Sequence, residues 1–260
     1  MKFENQIVLV VGASSGMGRV VAMKLAAAGA KLVVTARRKD KLESLAADIS
    51  EKGGECLALA ADALDERAAE AVVKSAVEHF GGIGLVLLNA GGAPAIDMRS
   101  MSAAEVKSYM RTNYDVTVNY LFPVLEQMKK QGRGFVAHTN SLAGFLGVPL
   151  QGPYSAAKGA VRLLMDTCRV EFSGWGIKFS SIYPGFVATE KTQGDGMPAP
   201  LEISEEKGAD HILYALRKEK ADYLFPCLMR WLIRLALVLP KPVVNRILER
   251  EVPALDERAG

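Results

Sequence analysis

Short apolar runs, rich in Val, Leu and Ile, recur along the chain and alternate with longer stretches of helix-forming residues. The runs read QIVLVV, AKLVVTA, ECLALA, IGLVLLN, GFVAHTNS, IKFSSIYP and DYLFP. Segments such as KDKLESLAADISEKG and ERAAEAVVKSAVEHFGG separate them. This alternation is typical of βαβ units, whose parallel strands are covered by helices on both faces. The sequence therefore predicts an α/β fold with a doubly wound parallel sheet of six or seven strands.

Length and composition favour one large folded domain over other classes of protein. Of the 260 residues, 50% are hydrophobic and 23% are charged, which is typical of globular chains. The net charge of +3 is small, and the Lys and Arg residues are scattered along the chain. Nucleic acid is therefore not expected as a partner.

The cysteines and the N-terminal segment indicate the compartment. Cys56, Cys168 and Cys227 are far apart and lack C-x-x-C spacing, so neither a disulfide framework nor a metal site is expected. The segment MKFENQIVLVVGASSG lacks the long apolar region and cleavage site of a secretory signal. We expect reduced thiols and a cytoplasmic protein. His138, in the fifth run, is interpreted as a structural residue.

A glycine-rich turn follows the first run, at the edge where parallel sheets bind their ligands. In VGASSGMG the glycines open the next helix, whose free N–H groups and dipole favour a pyrophosphate. The spacing G-x-x-x-G-x-G differs from the commoner G-x-G-x-x-G and indicates another subclass of dinucleotide site. The predicted cofactor contacts here are Gly12, Ser14, Ser15, Gly16, Met17 and Gly18.

The same turn also matches the nucleophile elbow G-x-S-x-G of serine hydrolases, with Ser14 as the nucleophile. That fold requires earlier strands to supply its oxyanion hole, whereas this motif follows the first run. A P-loop is not expected because no G-K-[ST] follows. The dinucleotide site is the preferred interpretation, and the hydrolase is an alternative.

Residues after the second and third runs bear on the choice of cofactor. Ala36 occupies the position where an acidic residue would bind the adenosine ribose, and Arg37 and Arg38 follow it. A guanidinium suits a 2′-phosphate, so NADP(H) is favoured over NAD(H). Asp62, after the third run, is a candidate adenine contact and equally a candidate turn residue.

Two further patterns add candidate site residues. The fourth run ends in NAGGAP, where Asn89, Ala90 and Gly91 predict a compact turn suited to close passage of a cofactor. Tyr154 and Lys158 in YSAAK are four residues apart and therefore share one face of a helix. Their side chains can address one point in space, although this spacing is common by chance.

Six motifs occur in a consistent order: GASSGMG, NAG, RTNYDV, TNSLAG, YSAAK and YPGFVAT. With them, the chain resembles the short-chain dehydrogenase/reductase (SDR) family over roughly residues 5 to 190. Ser141 precedes Tyr154 by thirteen residues, as in the family's catalytic pair. The resemblance implies a Rossmann-type fold, a nicotinamide cofactor, hydride transfer between carbonyl and alcohol, and a homodimer or homotetramer.

The resemblance also implies catalytic roles. Tyr154 would donate or accept the proton, and Lys158 would lower its pKa and contact the nicotinamide ribose. Ser141 would hydrogen-bond the substrate oxygen, while Asn113 would support a water that links Lys158 to solvent. A free tyrosine has a pKa of about 10, so a neighbouring ammonium is needed to favour the phenolate.

The resemblance also implies roles at the nicotinamide for residues of the motif YPGFVAT. Thr189, with the backbone near Val187, would hold the carboxamide, and Pro184 and Gly185 would shape the loop beneath it.

Three positions depart from the family pattern. Val11 replaces a Thr, Leu88 replaces an Asn, and Asn140 replaces the first of two serines. These departures bear on fine positioning and leave the catalytic residues in place.

The remaining sequence bears on the substrate. Polar, Gly- and Pro-containing residues after Thr189 predict a variable lid over about residues 190–210. An apolar substrate pocket is expected from Phe145, Leu146, Val148, Leu150 and Phe186. Such a pocket favours a lipophilic ketone or alcohol.

The segment LFPCLMRWLIRLALVLPKPVVNRILER after the last run is both apolar and basic. Its charges are too frequent for a transmembrane span. It is interpreted as a helix over the active site or against a partner subunit, with peripheral membrane contact through residues 226–250 as the alternative. We predict a dinucleotide-binding catalytic domain over residues 1–225 and a helical tail over residues 226–260.

The sequence thus predicts an NADPH-preferring oxidoreductase that interconverts a lipophilic ketone, such as a steroid, long-chain or sphingoid-type ketone, and its alcohol. A reductase of small xenobiotic or acyl carbonyls is the alternative within the same class. A nucleotide-binding sensor or scaffold without turnover is the alternative from another class.

Overall fold

The computed structural model of the protein describes residues 1–92, 94–190 and 199–252. Residues 191–198 of the predicted lid and residues 253–260 of the predicted tail lie outside the described residues.

Seven parallel strands form the central sheet, in the order β3-β2-β1-β4-β5-β6-β9, within the part of the chain that the structure describes. These strands are β1 (Ile7–Val11), β2 (Lys31–Ala36), β3 (Cys56–Ala60), β4 (Leu85–Leu88), β5 (Gly134–Thr139), β6 (Ile177–Pro184) and β9 (Asp222–Phe225). Each corresponds to one of the predicted apolar runs, so the predicted fold class is confirmed. A separate short pair, β7 (Val187–Ala188) and β8 (Ile203–Ser204), was not predicted.

Helices cover both faces of the sheet. One hydrophobic core includes residues of α1 (Gly16–Ala27), α2 (Lys39–Glu51) and α7 (Glu205–Arg217). The other includes residues of α3 (Glu66–Phe80), α5 (Asp115–Gln131) and α6 (Gly152–Glu171). The remaining helices are α4 (Ala103–Arg111), α8 (Cys227–Val238) and α9 (Lys241–Leu248).

Strand residues alternate between the two cores. Val8 and Val10 of β1 lie in the core with α1, α2 and α7, whereas Leu9 and Val11 lie in the other core. All four side chains are at most 2% exposed. A strand buried on both faces has no polar side, which explains why the predicted runs are continuously apolar.

The strand order reverses at β1, which lies between β2 and β4. Ligands of open α/β sheets bind at such a switch point, outside the carboxyl ends of the strands. The turns that follow β1, β4, β5 and β6 converge at this edge. They carry Gly12, Asn89, Ser141 and Gly185, respectively.

Two glycines allow the turn after β1 to pack closely against its neighbours. Gly12 has φ +86°, and a Cβ there would lie 2.8 Å from the Ala90 nitrogen. A Cβ on Gly18, in the first turn of α1, would lie 2.1 Å from the Gly12 carbonyl oxygen and 2.7 Å from Asn89 Nδ2. The approach of α1 to these two turns therefore requires glycine at both positions.

Replacement of Gly18 by alanine is expected to destabilise the protein. Alanine gains about 1 kcal/mol of helix propensity, but its methyl group forces the packed backbone apart. We expect the free energy of unfolding to fall by roughly 1–3 kcal/mol, measured by urea denaturation. Gly174→Ala is the matched control, because a Cβ there meets nothing within 4 Å. Equal stability of the two variants would contradict the packing argument.

Candidate active site

A cleft of 1990 Å³ opens at the carboxyl ends of the strands. Single small-molecule sites are usually about 300–1,000 Å³, so this cleft has room for a dinucleotide together with a substrate. The predicted cofactor residues that line it are Gly12, Ser14, Ser15, Gly16, Met17, Arg37, Arg38, Asp62, Asn89, Ala90, Gly91, Tyr154, Lys158, Pro184, Gly185, Val187 and Thr189. Gly18 and Asn113 are not on its surface and lie behind its wall.

The glycine turn and the N-terminus of α1 form one end of the cleft. Asn89 Nδ2 donates to the Gly12 carbonyl at 3.3 Å, which joins the turns after β1 and β4. Gly16 has φ +60° and begins α1, so the free N–H groups of that helix border the cleft. A turn that begins and ends with glycine beside a helix N-terminus fits a pyrophosphate.

Arg38 lies beside this turn. Its Nη2 donates to Ser14 Oγ at 3.2 Å and to Ser15 Oγ at 2.5 Å, and its Nη1 lies 3.2 Å from the Glu190 carboxylate. The guanidinium of Arg38, which follows β2, and the hydroxyls of Ser14 and Ser15, which follow β1, together fit an additional phosphate group. Arg37 lines the same region but is exposed. Sequence reasoning missed Glu190, which carries no distinguishing sequence signal.

The contact between Arg38 and Ser14 also bears on the hydrolase alternative. A nucleophilic serine needs a neighbouring base to accept its proton. Ser14 Oγ instead accepts hydrogen bonds from Nε and Nη2 of Arg38, at 3.3 and 3.2 Å. A guanidinium is always protonated in proteins and cannot act as that base.

Asp62 forms a turn at the rim of the cleft. Its Oδ1 accepts the N–H of Leu64 at 3.1 Å, which is the turn role considered for it. The residue also lines the cleft, so a contact with adenine remains compatible with its place.

The centre of the cleft brings together Ser141, Tyr154 and Lys158. Tyr154 and Lys158 lie one turn apart in α6, with Lys158 Nζ 5.7 Å from the centre of the Tyr154 ring. The Lys158 side chain is buried, and its ammonium donates to the Thr139 carbonyl at 2.9 Å. Ser141 follows β5 and hydrogen-bonds Tyr154. The three residues predicted from YSAAK and TNSLAG therefore meet at one place.

Burial controls the acidity of Tyr154. Desolvation raises the pKa of Tyr154 to about 12, and the hydrogen bond with Ser141 acts in the opposite direction. The predicted lowering of this pKa is not seen here, because burial has the larger effect. The phenol is therefore protonated near neutral pH, which suits a proton donor.

Asn113 is completely buried in the break between α4 and α5. Its Oδ1 accepts the N–H of Gly92 at 3.0 Å, and its Nδ2 donates to the Tyr109 carbonyl at 3.3 Å. A Cβ on Gly91 would lie 2.9 Å from Asn113 Oδ1 and 3.8 Å from Lys158 Nζ. Asn113 and Lys158 therefore both lie beside Gly91.

Asn140 connects the catalytic candidates, a feature that sequence reasoning identified only as a departure from the family pattern. Its Nδ2 donates to the Lys158 carbonyl at 3.1 Å, while its Oδ1 accepts the N–H of Ser141 at 2.8 Å. The side chain is 2% exposed. One buried amide therefore ties the turn after β5 to α6.

Tyr109 is another cleft residue that sequence reasoning missed. Its hydroxyl donates to the Pro94 carbonyl at 3.1 Å, and it precedes Asn113 by one helical turn. Desolvation, together with the nearby Tyr154, raises the pKa of Tyr109. No sequence motif singles it out.

The motif YPGFVAT forms another side of the cleft. The Gly185 N–H donates to the Phe225 carbonyl at 2.8 Å, which holds the end of β6 against β9. Thr189 lies beside the glycine turn, because its Cγ2 is 3.9 Å from a Cβ built on Gly16. Thr189 and the turn therefore face the same part of the cleft.

The far end of the cleft is apolar. Four of the predicted pocket residues line it, namely Leu146, Val148, Leu150 and Phe186. Phe145 does not; it packs on Tyr183, with ring centres 4.7 Å apart, and under the Arg162 guanidinium. That prediction was wrong because the backbone at the end of the short helix Leu142–Gly144 directs Phe145 onto Tyr183 instead of into the cleft. The two last helices add Met229, Leu232, Ile233, Ile247 and Leu248, which places the tail over the cleft.

The described residues contain neither a cluster of metal ligands nor a membrane-spanning helix. Among the described residues, no group of three or more His, Cys, Asp or Glu side chains is placed to hold a metal ion. His138 is completely buried, and desolvation together with Lys158 holds its pKa well below the ordinary value. None of the helices in residues 1–92, 94–190 and 199–252 has the length and apolar character needed to cross a membrane.

Known proteins resemble this chain in sequence and in structure. The family model for short chain dehydrogenase matches residues 6–197. An uncharacterized oxidoreductase of Myxococcus xanthus is 31% identical, over 93% of this chain and 96% of its own length. Levodione reductase of Leifsonia aquatica is 36% identical over 72% of each chain.

Solved structures of short-chain dehydrogenases and reductases share the fold of this chain. The crystal structure of levodione reductase has a TM-score of 0.78 and 29% identity, and the match covers 86% of this chain and 96% of that one. A short-chain type dehydrogenase/reductase from Mycobacterium marinum shares the fold, with a TM-score of 0.80 and 24% identity over 92% of this chain and 98% of its own. Because the family model spans most of the sequence and these relatives share its length and fold, the chain belongs to the short-chain dehydrogenase/reductase family of oxidoreductases.

Proposed function

We propose that the protein is an NADPH-preferring reductase that interconverts a ketone and a secondary alcohol on a lipophilic substrate. One observation carries the proposal: Ser141, Tyr154 and Lys158 meet in a cleft with a phosphate-suited end at Arg38 and an apolar end under α8 and α9. A nucleotide and an apolar substrate that enter from opposite ends would meet at Tyr154.

Tyr154 is the proposed proton donor. Its pKa of about 12 keeps the phenol protonated near neutral pH, so it can protonate the oxygen of a carbonyl group during reduction. Ser141, which hydrogen-bonds Tyr154, holds that oxygen in place. A bound nicotinamide cofactor supplies the hydride for the carbonyl carbon. The similarity to a levodione reductase supports the reductive direction.

Lys158 and Asn113 complete the proposed catalytic group. The Lys158 ammonium lies beside the Tyr154 ring and favours the phenolate that remains after proton transfer. Asn113 lies next to Lys158 and holds the backbone at Gly92, which keeps the wall of the cleft in place. We assign to it the support of a proton path from Lys158 to solvent.

The preference for NADPH rests on Arg38. Its guanidinium is tied to Ser14 and Ser15 beside the glycine turn, and Ala36 offers no carboxylate to the ribose. The Glu190 carboxylate, 3.2 Å from Arg38, occupies one side of the guanidinium and would compete with a phosphate group.

Two other functions are compatible with part of the site. A reductase of small carbonyl compounds would use the same Ser141, Tyr154 and Lys158 but would not need the apolar end of the cleft. A sensor without turnover would need only the nucleotide end, and the complete catalytic group argues against it.

For assembly, we propose a homodimer or homotetramer, for which exposed Leu163 and Val170 on α6 offer an apolar face.

NADPH consumption by the purified protein should be confined to lipophilic ketones in a panel graded from small polar ketones to steroids and long-chain ketones. Tyr154→Phe should lower kcat by at least about 100-fold, because general acid catalysis is lost, while NADPH binding by fluorescence is unchanged. Tyr214→Phe, on the exposed face of α7, is the matched control and should keep full activity. Turnover of small ketones only would disprove the lipophilic substrate, and NADPH binding without any turnover would favour the sensor.

Cofactor preference should depend on Arg38. We expect Arg38→Gln to weaken NADPH binding roughly 10- to 100-fold, because a charge-assisted contact contributes about 1.5–3 kcal/mol. NADH binding should be nearly unchanged. Glu190→Gln, which removes the competing carboxylate, should instead tighten NADPH binding. Equal losses for NADPH and NADH in Arg38→Gln would indicate a structural role and contradict the proposed preference.

Asn140 is proposed as a positioning residue for the catalytic group. Asn140→Ala should lower kcat roughly 10- to 100-fold, because Ser141 and α6 lose their common anchor and small displacements of reacting groups are costly. NADPH affinity should change little. Asn119→Ala, which removes a side-chain hydrogen bond from α5 to Ala63, is the matched control. Equal kcat in the two variants would refute the positioning role.

A further inference from the structure

The last two helices expose an apolar surface that the proposed reaction does not use. Sixteen large hydrophobic side chains are exposed in the part of the chain that the structure describes, and half of them lie on α8 and α9. These eight are Leu228, Trp231, Leu232, Leu235, Leu237, Val238, Val243 and Ile247, of which Leu232 and Ile247 also line the cleft. Single exposed apolar side chains are common on protein surfaces, whereas a contiguous group of them is typical of a binding surface.

Apart from Leu232, the exposed apolar side chains of α8 are distinct from those that face the cleft. Met229, Leu232 and Ile233 line the cleft and recur at helical spacing. A second stripe, at positions i, i+3, i+7 and i+10, consists of Leu228, Trp231, Leu235 and Val238. All four are at least 53% exposed. One stripe closes the cleft, so the other must have a different partner or remain in water.

The charge of the two helices is of one sign. From residue 227 to residue 248 the sequence contains four basic residues, Arg230, Arg234, Lys241 and Arg246, and no Asp or Glu. The guanidinium groups of Arg230 and Arg234 each lie 5.3 Å from the centre of the Trp231 ring. An exposed indole between two cations, next to an apolar stripe, is the composition of helices that lie in the interface of a membrane.

We propose that α8 and α9 dock the protein onto the surface of a lipid bilayer that contains anionic lipids. The apolar stripe would enter the boundary between headgroups and acyl chains, and the four basic side chains would contact the lipid phosphates. Neither helix is long enough to span a bilayer, since α8 has 12 residues and α9 has 8.

Charge complementarity favours a bilayer over a second copy of the chain. In a two-fold interface the same patch of both copies comes together. This face would then bring four cations of one copy against four of the other, and the first carboxylate after residue 227 is that of Glu249, beyond the end of α9. An anionic lipid surface offers the opposite charge and an apolar layer beneath it.

Docking would place the open end of the cleft at the membrane. The helices that carry the exposed stripe also contribute Met229, Ile233 and Leu248 to the cleft wall. A lipid-soluble ketone could then enter from the bilayer without crossing water. This consequence rests on the proposed function, whereas docking itself does not and is measured without turnover.

Co-sedimentation of the full chain with vesicles tests the proposal. The protein should sediment with vesicles of phosphatidylcholine and phosphatidylglycerol, bind much less to phosphatidylcholine alone, and be released by salt. Arg230→Gln/Arg234→Gln should weaken binding about 30-fold, from the contribution of two basic residues near an anionic surface. Arg67→Gln/Lys74→Gln on α3 removes the same charge elsewhere and should bind as the unmodified protein does.

Tryptophan fluorescence reports on the apolar stripe directly. The chain has two tryptophans, so in a Trp175→Phe background the emission comes from Trp231 alone. We expect a shift to shorter wavelength with anionic vesicles, which Leu228→Ser/Leu235→Ser should abolish. Neither of these leucines lines the cleft, so NADPH turnover of a lipophilic ketone in the absence of vesicles serves as an independent check of folding and of the proposed activity.

Several results would overturn docking. Absence of sedimentation with anionic vesicles would do so, as would equal binding by the Arg230→Gln/Arg234→Gln variant and its α3 control. Self-association in the absence of lipid that Leu228→Ser/Leu235→Ser abolishes would assign the face to a second copy. By contrast, if the unmodified protein binds anionic vesicles but does not oxidise NADPH with any ketone, the proposed activity is disproved and docking is still supported.

Discussion

The buried ammonium of Lys158 is the constraint on which the arrangement of the site depends. Lys158 is only 3% exposed. Removing a cation from water costs several kcal/mol unless polar groups replace the lost hydration. The Thr139 carbonyl at the end of β5 provides one such group. Asn140 fastens the Lys158 backbone to the same turn. The position of α6 relative to β5, and with it the meeting of Tyr154 and Ser141, follows from these contacts.

The cleft has a different chemical character at each end because different strand turns and helices form it. Close packing at Gly12 and Gly18 brings a helix N-terminus and Arg38 to one end, where a phosphate-bearing ligand fits. The last two helices cover the other end with aliphatic side chains. The reacting groups would lie between these ends, so a polar cofactor and an apolar substrate need not share the same surroundings.

The fold was predictable because its signal is local and repeated. The central strands of a doubly covered parallel sheet are buried on both faces and are therefore apolar, and each predicted run became a strand of this sheet. The residue types of the site were recognisable for a related reason: the glycines of the turn after β1, and a Tyr and a Lys one helical turn apart, have a spacing that is visible in the chain. The short pair β7 and β8 lacked such a signal, since each strand has only two residues.

By itself, the sequence determined the class of fold, the family, and which side chains are available at the carboxyl edge of the sheet. Only the tertiary structure decided what surrounds them, because burial and hydrogen bonding depend on residues far apart in the chain. Phe145 turned away from the cleft, and Asn140 became the link between Ser141 and Lys158. Burial raises the pKa of Tyr154, whereas the predicted influence was that of Lys158, which would lower it. The tail likewise has an apolar pattern in the sequence, but packing over the cleft divides that pattern into a covered stripe and an exposed one.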